Sequence, residues 1–306
     1  MCLNFKGMDV KKSSIFPVSV VVLVIVIVWY ASAVLMNLAW EKSVAERAGT
    51  SSSMTSMIQN TMDQDRPVLP APHQVVEEVI NTTFKKNINS KRSLIYHARI
   101  TLSSSMLGFF LGTVLGIVLA VAIVYNQALN KSLMPWIIAS QTIPILAIAP
   151  MIIVVLNAIG VQGLLPKAFI SMYLSFFPIV VGMVKGLNSP DRSHQDLMRT
   201  YSASGVQTFF KLRLPTSLPF LFTSMKVAVA ISLVGAIVAE LPTGAVAGLG
   251  ARLLAGSYYG QTIQIWSALV VASVLAASLV VLVGAIGSWI NRRMGLQQNT
   301  SEMRAS

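Results

Sequence analysis

Charge is scarce in this chain. Of its 306 residues only 11% are Asp, Glu, Lys or Arg, about half the share that a soluble domain carries. So few charges cannot cover a globule in water. With 54% hydrophobic residues and a mean hydropathy of +0.68, the chain is expected to be solvated by lipid. In a soluble protein the formal charge of +12 would suggest nucleic acid. Here no basic stripe is interleaved with aromatics, and the cations sit at the ends of apolar runs, where they orient a chain in a bilayer. Nucleic acid is discounted as a partner on that ground. Cysteine is nearly absent: Cys2 alone excludes disulfides, thiolate zinc sites and iron–sulfur clusters within one chain. No G-x-x-x-x-G-K-[ST] occurs, so nucleotide hydrolysis by a P-loop is excluded. No H-E-x-x-H or G-x-S-x-G occurs either, and His73, His97 and His194 are far apart in sequence. No catalytic group, metal or cofactor is expected. Carboxylates are missing from the centres of the apolar segments. The ionisable groups nearest them (Lys167, Lys185, Lys226 and Glu240) fall at segment ends, which disfavours proton-coupled transport and intramembrane enzymology.

What is present is a succession of apolar segments. Lys11 and Lys12 precede a charge-free run from Ser13 to Trp40. As a helix it would span roughly 42 Å, more than the roughly 30 Å of hydrocarbon. Ala31-Ser32-Ala33 mimics a signal-peptide cleavage site, but the run is long and stays apolar past it. A cytoplasmic N-terminus (residues 1–16) and a first transmembrane helix (17–40) are therefore expected, followed by an extracytoplasmic loop over 41–99. Within that loop, residues 49–56 form a flexible Ser/Thr-rich patch. Pro67 to Pro72 runs extended, and His73 to Asn87 has the apolar spacing of an amphipathic helix lying at the lipid interface. Five further apolar segments follow: Thr101 to Val124, Leu133 to Leu156, Pro166 to Gly186, Phe220 to Leu241 and Ile263 to Ile290. They make a five-helix core over 100–293, with a cytoplasmic tail over 294–306. Gly108, Gly112 and Gly116 are spaced four apart, which either lets helices approach closely or reflects the general frequency of glycine in such helices. Placing both termini and the 125–132 and 188–219 loops inside gives a modest positive-inside bias.

The 188–219 loop is the anomaly, because it is too patterned for a simple connection. Ser189-Pro190-Asp191 is a turn and helix start. Leu197, Tyr201 and Ser204 then share a helical face, with Met198 beside them and Asp196 early in the helix. Ser202-Ala-Ser-Gly205 breaks the period, and Gly205 suits a helix stop with positive φ. Thr208 to Leu214 reads as a second short piece, closed off by Pro215 and Pro219, which start the fifth membrane helix. An exposed apolar knuckle of this kind implies a cytosolic partner.

This loop resembles the EAA loop of binding-protein-dependent ABC importer permeases. The family pattern is Glu-Ala-Ala, three residues, Gly, nine residues, Ile, one residue, Leu-Pro. Leu214-Pro215 fixes the register, which puts Leu212 at the Ile position, Ser202 at the Gly position and Asp196-Leu197-Met198 at Glu-Ala-Ala. The acidic position and the Leu-Pro are kept, whereas the alanines and the glycine are replaced. The chain is most similar to the branch importing sulfonates, taurine, nitrate and pyrimidine vitamin precursors. Leu69-Pro-Ala-Pro72, Ile143-Pro144, Ala149-Pro150, Phe176-Phe-Pro178-Ile, Ala239-Glu240 and Gly248-Leu-Gly250 carry that resemblance.

The resemblance implies an all-α polytopic membrane protein with six transmembrane helices of the type I ABC importer permease fold, in the bacterial inner membrane. It implies a transport subunit without enzymatic activity of its own. Two ABC ATPase subunits, an extracytoplasmic substrate-binding protein, a second permease copy and membrane lipid would be its partners. Asp196, Leu197, Met198, Tyr201, Ser202, Gly205, Leu212 and Pro215 would form the ATPase-docking loop. Gln141, Thr142, Ser175 and Ser232 are candidates to line the solute pathway or, equally, to bridge helices. Glu240 and Arg252 either form a charged outer lip or meet headgroups. A secondary transporter or channel, and a membrane scaffold recruiting a cytosolic partner, are the alternatives.

Overall fold

The computed structural model describes residues 15–48, 54–242 and 247–295, and among them every regular element is helical. The expectations for residues 1–14, for most of the Ser/Thr-rich patch and for the tail beyond residue 295 fall outside the described residues. The elements in order are α1 (Ile15–Ala48), α2 (Met54–Met62), α3 (Pro72–Phe84), α4 (Leu94–Tyr125), α5 (Gln127–Ser140), α6 (Ile145–Ala158), α7 (Leu164–Leu187), α8 (Arg192–Thr200), α9 (Gly205–Thr208), a π turn (Phe209–Arg213), α10 (Leu214–Glu240), α11 (Leu249–Tyr258) and α12 (Thr262–Arg293). Five helical stretches among the described residues are long and apolar enough to cross a membrane, and α5–α6 makes a sixth when taken as one span. The all-α, multi-span fold expected from the sequence is present.

Several boundaries differ, each for a local reason. Helix α1 runs on to Ala48 instead of stopping at Trp40, because neither Gly nor Pro interrupts the good helix formers of Glu41 to Arg47. Helix α2 occupies a stretch with no expected element and begins inside the Ser/Thr-rich patch. Helix α3 starts at Pro72, whose fixed φ suits a first helical position. The third apolar segment is not one kinked helix: α5 and α6 meet at a 99° bend. Pro144 sits at the N-cap of α6, and the residue before a proline is pushed out of the helical region. Pro135 and Pro150, by contrast, are carried inside α5 and α6.

The chain divides into two compact units, residues 1–81 with 256–267 and residues 82–255 with 268–306. In the first, Asn37 of α1 is fully buried and serves the backbone of the proline segment. Its Nδ2 donates to the Leu69 carbonyl at 2.9 Å and the Thr61 carbonyl at 3.3 Å. Its Oδ1 accepts from Val68 N–H at 2.8 Å and Leu69 N–H at 3.3 Å. Trp29 Nε1 donates to the Pro70 carbonyl at 3.0 Å. The proline segment, expected to run extended, instead bends at Val68 and Leu69 and enters α3 at Pro72, and its backbone groups are satisfied by side chains of α1.

In the second unit α4, α7 and α10 pack with backbones in near contact. A Cβ added at Gly116 would fall 2.7 Å from Ile179 Cβ, one at Gly112 would collide with Ser175 Oγ, and one at Gly108 would collide with Ser171. The four-residue glycine spacing is therefore the seam along which α4 rides on α7. Gly186 lets α7 approach α10 in the same way, since a Cβ added there would fall 2.9 Å from Ser217. Ile179, Met183, Leu187, Ala228 and Val229 fill the core between these helices, with Leu279 and Val283 of α12 at its margin.

Candidate functional site

Helix α8 of the 188–219 loop has Asp191 at its N-cap position. No residue of α8 is buried. Leu197 is 52% and Tyr201 77% exposed, an apolar pair one turn apart facing away from the bundle. Met198 is half-buried beside them. Asp196 pairs with Arg199 at 3.4 Å, i to i+3 on an exposed face, a contact of little energetic weight in water.

Helix α8 ends in a Schellman turn. Ser202 N–H donates to the Arg199 carbonyl at 2.8 Å and Ala203 N–H to the Met198 carbonyl at 2.9 Å. Among the described residues Ser202 alone has a positive φ without being glycine, at 51°. The left-handed turn therefore falls on the serine that replaces the family glycine. The expectation that Gly205 would stop the helix is corrected: Gly205 is the first residue of α9. Ser204 caps α9 reciprocally, its Oγ accepting from Gln207 N–H at 3.2 Å while Gln207 Oε1 accepts from Ser204 N–H at 2.9 Å.

The second loop piece is likewise not separate. From Gly205 the chain is helical without a break to Glu240. Pro215 lies in the first turn of α10 and Pro219 inside it, so neither proline starts a new element. Pro215 cannot donate to the carbonyl four residues back, and its ring presses against it. The register slips, and Leu214 N–H bonds Phe209 O in a π turn. Thr216 Oγ1 then caps the carbonyls of Leu212 at 2.8 Å and Arg213 at 3.0 Å. Leu212 and Pro215 are thereby half-buried at the loop's root. Phe209 meets the ring of Tyr125 edge-on at 5.9 Å, and the Arg213 guanidinium lies 5.6 Å from that ring.

The pathway candidates fall into two pairs. Ser175 and Ser232 are fully buried and bridge helices: Ser175 Oγ reaches the Gly108 carbonyl at 3.4 Å, and Ser232 Oγ donates to the Ser105 carbonyl at 2.7 Å. Gln141 and Thr142 stand together at the α5–α6 bend, Gln141 half-buried and Thr142 exposed.

Sequence reasoning missed a cluster at the far end of α10. Glu240 is fully buried and not a surface lip. Its carboxylate accepts from Thr101 Oγ1 at 2.9 and 3.0 Å and from Gly250 N–H at 2.9 Å, and it pairs with Lys167 Nζ at 3.6 Å. Lys167 also donates to the Ala247 carbonyl at 3.1 Å, and Leu249 N–H donates to Thr101 Oγ1 at 2.9 Å. His97 Nδ1 faces Gly248 N–H at 3.0 Å and its Nε2 faces the Lys91 carbonyl at 2.9 Å. A donor on one side and an acceptor on the other select the neutral Nε2–H tautomer. A Cβ at Gly248 would collide with the Glu240 carboxylate, so Gly248-Leu-Gly250 is the lid over that charge. The signal lay in Ala239-Glu240 and Gly-Leu-Gly being present together, not in either alone.

A helical bundle with a polar loop at one end and a satisfied ion pair at the other has relatives. The sequence profile described as binding-protein-dependent transport system inner membrane component matches residues 112–296. The chain belongs to this family. The formylaminopyrimidine transport permease protein ThiX of Halalkalibacterium halodurans is 33% identical over 184 residues, 60% of this chain and 68% of that one. The riboflavin transport system permease protein RibX of Chloroflexus aurantiacus is 32% identical over 190 residues, 62% of this chain and 69% of that one. Among solved structures, a chain from the MetNI methionine ABC transporter in its inward-facing form superposes with a TM-score of 0.56 at 20% identity. That match covers 66% of this chain and 95% of the other. The protein is thus an ABC importer permease subunit of the bacterial inner membrane, the transport component and not the enzyme. It works with a separate ATPase and a substrate-binding protein.

Proposed function

We propose that this permease imports a small nitrogen heterocycle of the vitamin or vitamin-precursor type, with the termini and α8 on the cytoplasmic side. Two copies would line one pathway, and one ATPase subunit would seat on each α8. The observation that supports the docking role is α8 itself: a nine-residue helix with no buried residue, on which Leu197 and, at its C-cap, Tyr201 stand exposed. Asp196, Leu197, Met198 and Tyr201 would make the contact. Ser202 sets the turn, and Gly205, Leu212 and Pro215 carry it into α10. Closure of the ATPase pair on ATP would then be felt by the membrane helices, provided that the two motor states contact α8 differently.

The heterocyclic solute is supported by two relatives above 30% identity that are named for formylaminopyrimidine and riboflavin transport. The segment from Pro135 to Pro150 that forms the bend contains no cation in sequence, and Gln141 and Thr142 offer amide and hydroxyl groups, which suit uncharged donors and acceptors. The test is uptake into proteoliposomes holding the permease, its ATPase and its binding protein. Labelled formylaminopyrimidine, riboflavin, taurine and nitrate are offered in turn. ATP-dependent accumulation of a heterocycle is expected, and accumulation of taurine or nitrate alone contradicts the assignment.

A further inference from the structure

Tyr125 is the last residue of α4 and half exposed, in a place where nothing in the docking surface requires an aromatic ring. It nonetheless holds two groups of the loop's root. Phe209 packs edge-to-face against it at 5.9 Å, and the Arg213 guanidinium stands over it at 5.6 Å. Both belong to the π turn. Phe209 also packs against the main core and against Phe210 at 5.0 Å. Directly after Tyr125 the chain turns sharply. Asn126 is extended and caps α5, its Oδ1 accepting from Ala128 N–H at 2.9 Å and Leu129 N–H at 3.3 Å. The loop's root therefore grips the elbow between α4 and α5. At the other end of α5, Tyr173 Oη of α7 donates to the Ser140 carbonyl, next to the bend that carries Gln141 and Thr142.

We infer that Tyr125 is a positioning residue that ties the π turn to the α4–α5 elbow, so that displacement of the docking loop reaches α5 and the bend at its far end. The geometry favours this role for three reasons. A π turn has spare register, and without a second anchor it would absorb a displacement as local rewinding. At the loop's other root α7 and α10 lie so close that a Cβ added at Gly186 would fall 2.9 Å from Ser217, so the α7–α10 pair moves as one piece. The aromatic and cation contacts at Tyr125 tie the π turn to the last residue of α4, immediately before the cap of α5. Edge-to-face rings attract through ring quadrupoles and a cation is drawn to a ring face, which biases a soft register. The role of Tyr125 in transport rests on the docking reading of α8, but the link itself does not.

Amide exchange on the full-length permease in nanodiscs, without ATPase, tests the link. In Tyr125→Ala, exchange is expected to speed about fivefold or more in both Phe209–Arg213 and Asn126–Leu129, which corresponds to about 1 kcal/mol. Tyr125→Phe, which keeps the ring, should exchange like the unaltered chain. Arg213→Gln removes the cation without leaving a cavity and should speed the same two segments to a smaller degree, and it decides the question if Tyr125→Ala does not fold. Unchanged exchange in Tyr125→Ala, or equal acceleration in Tyr125→Phe, overturns the link. In the complex, spin labels attached through Asn130→Cys and Ser193→Cys on a Cys2→Ser background report α5 against α8. Their separation should be the same without nucleotide and with vanadate-trapped ADP, and should differ between those states in Tyr125→Ala. A separation that changes in the unaltered chain overturns the transmitting role. ATPase that does not co-purify with the unaltered permease contradicts the docking reading instead, and leaves amide exchange to decide the link.

Discussion

Ser202 carries the sharpest conflict between residue type and backbone. Its φ of 51° lies in the left-handed region, which costs a non-glycine residue about 1 kcal/mol or more. The cost is met because two Schellman hydrogen bonds and a capping box hold the turn on both sides. Ser202→Gly should relieve the strain and slow amide exchange of Ser202 and Ala203 by up to about fivefold. Ser202→Val, β-branched and worse in this region, should speed it. Faster exchange in the glycine variant contradicts the strain argument.

Glu240 and Lys167 make a second residue-scale prediction. Removing one partner of a buried pair leaves an uncompensated charge, so Glu240→Ala should lower stability by about 3–5 kcal/mol in thermal unfolding. Replacing both, as Lys167→Met with Glu240→Met, should recover most of that loss. A double variant no more stable than the single one would mean that the carboxylate's hydrogen bonds to Thr101 and Gly250, and not its charge balance, hold the lid. Position alone could not reveal this burial. Glu240 stands at the end of an apolar run, where headgroup contact is the ordinary outcome, and its partners come from sequence distances of up to 139 residues.

At the scale of elements, packing is governed by where side chains are absent. Helices α4 and α7 meet through Gly108, Gly112 and Gly116, and α7 and α10 through Gly186. Gly116→Leu must push α4 away from Ile179, a case of overpacking that should cost about 1–3 kcal/mol, read as a lower unfolding temperature in detergent. A substitution at Gly205, which has nothing within 4 Å of its would-be Cβ, should leave that temperature unchanged. Helix existence was legible because apolar length is a strong signal in lipid. The three α4 glycines were legible as a motif, although not as a contact. What escaped was element continuity. The 99° break at Pro144 and the unbroken passage through Pro215 are opposite outcomes at two prolines. Pro144 stands at the N-cap of α6 while Tyr173 Oη takes up the Ser140 carbonyl, whereas at Pro215 the helix continues by a slip into π register.

For the whole molecule, the absence of a nucleotide motif or mid-helix carboxylate, together with a patterned polar loop, pointed to a pathway driven by a separate motor, and family membership bears that out. The helix–turn–helix pattern of the 188–219 loop was legible, but the turn was assigned to Gly205 and belongs to Ser202. The solute was not legible, because the groups at the α5–α6 bend are few and uncharged. The most direct test of the account is ATP-driven uptake in proteoliposomes by the unaltered permease and by Asp196→Lys, compared at equal membrane insertion. The account predicts that Asp196→Lys inserts normally and loses uptake by about tenfold or more. Undiminished uptake in the correctly inserted variant would contradict it.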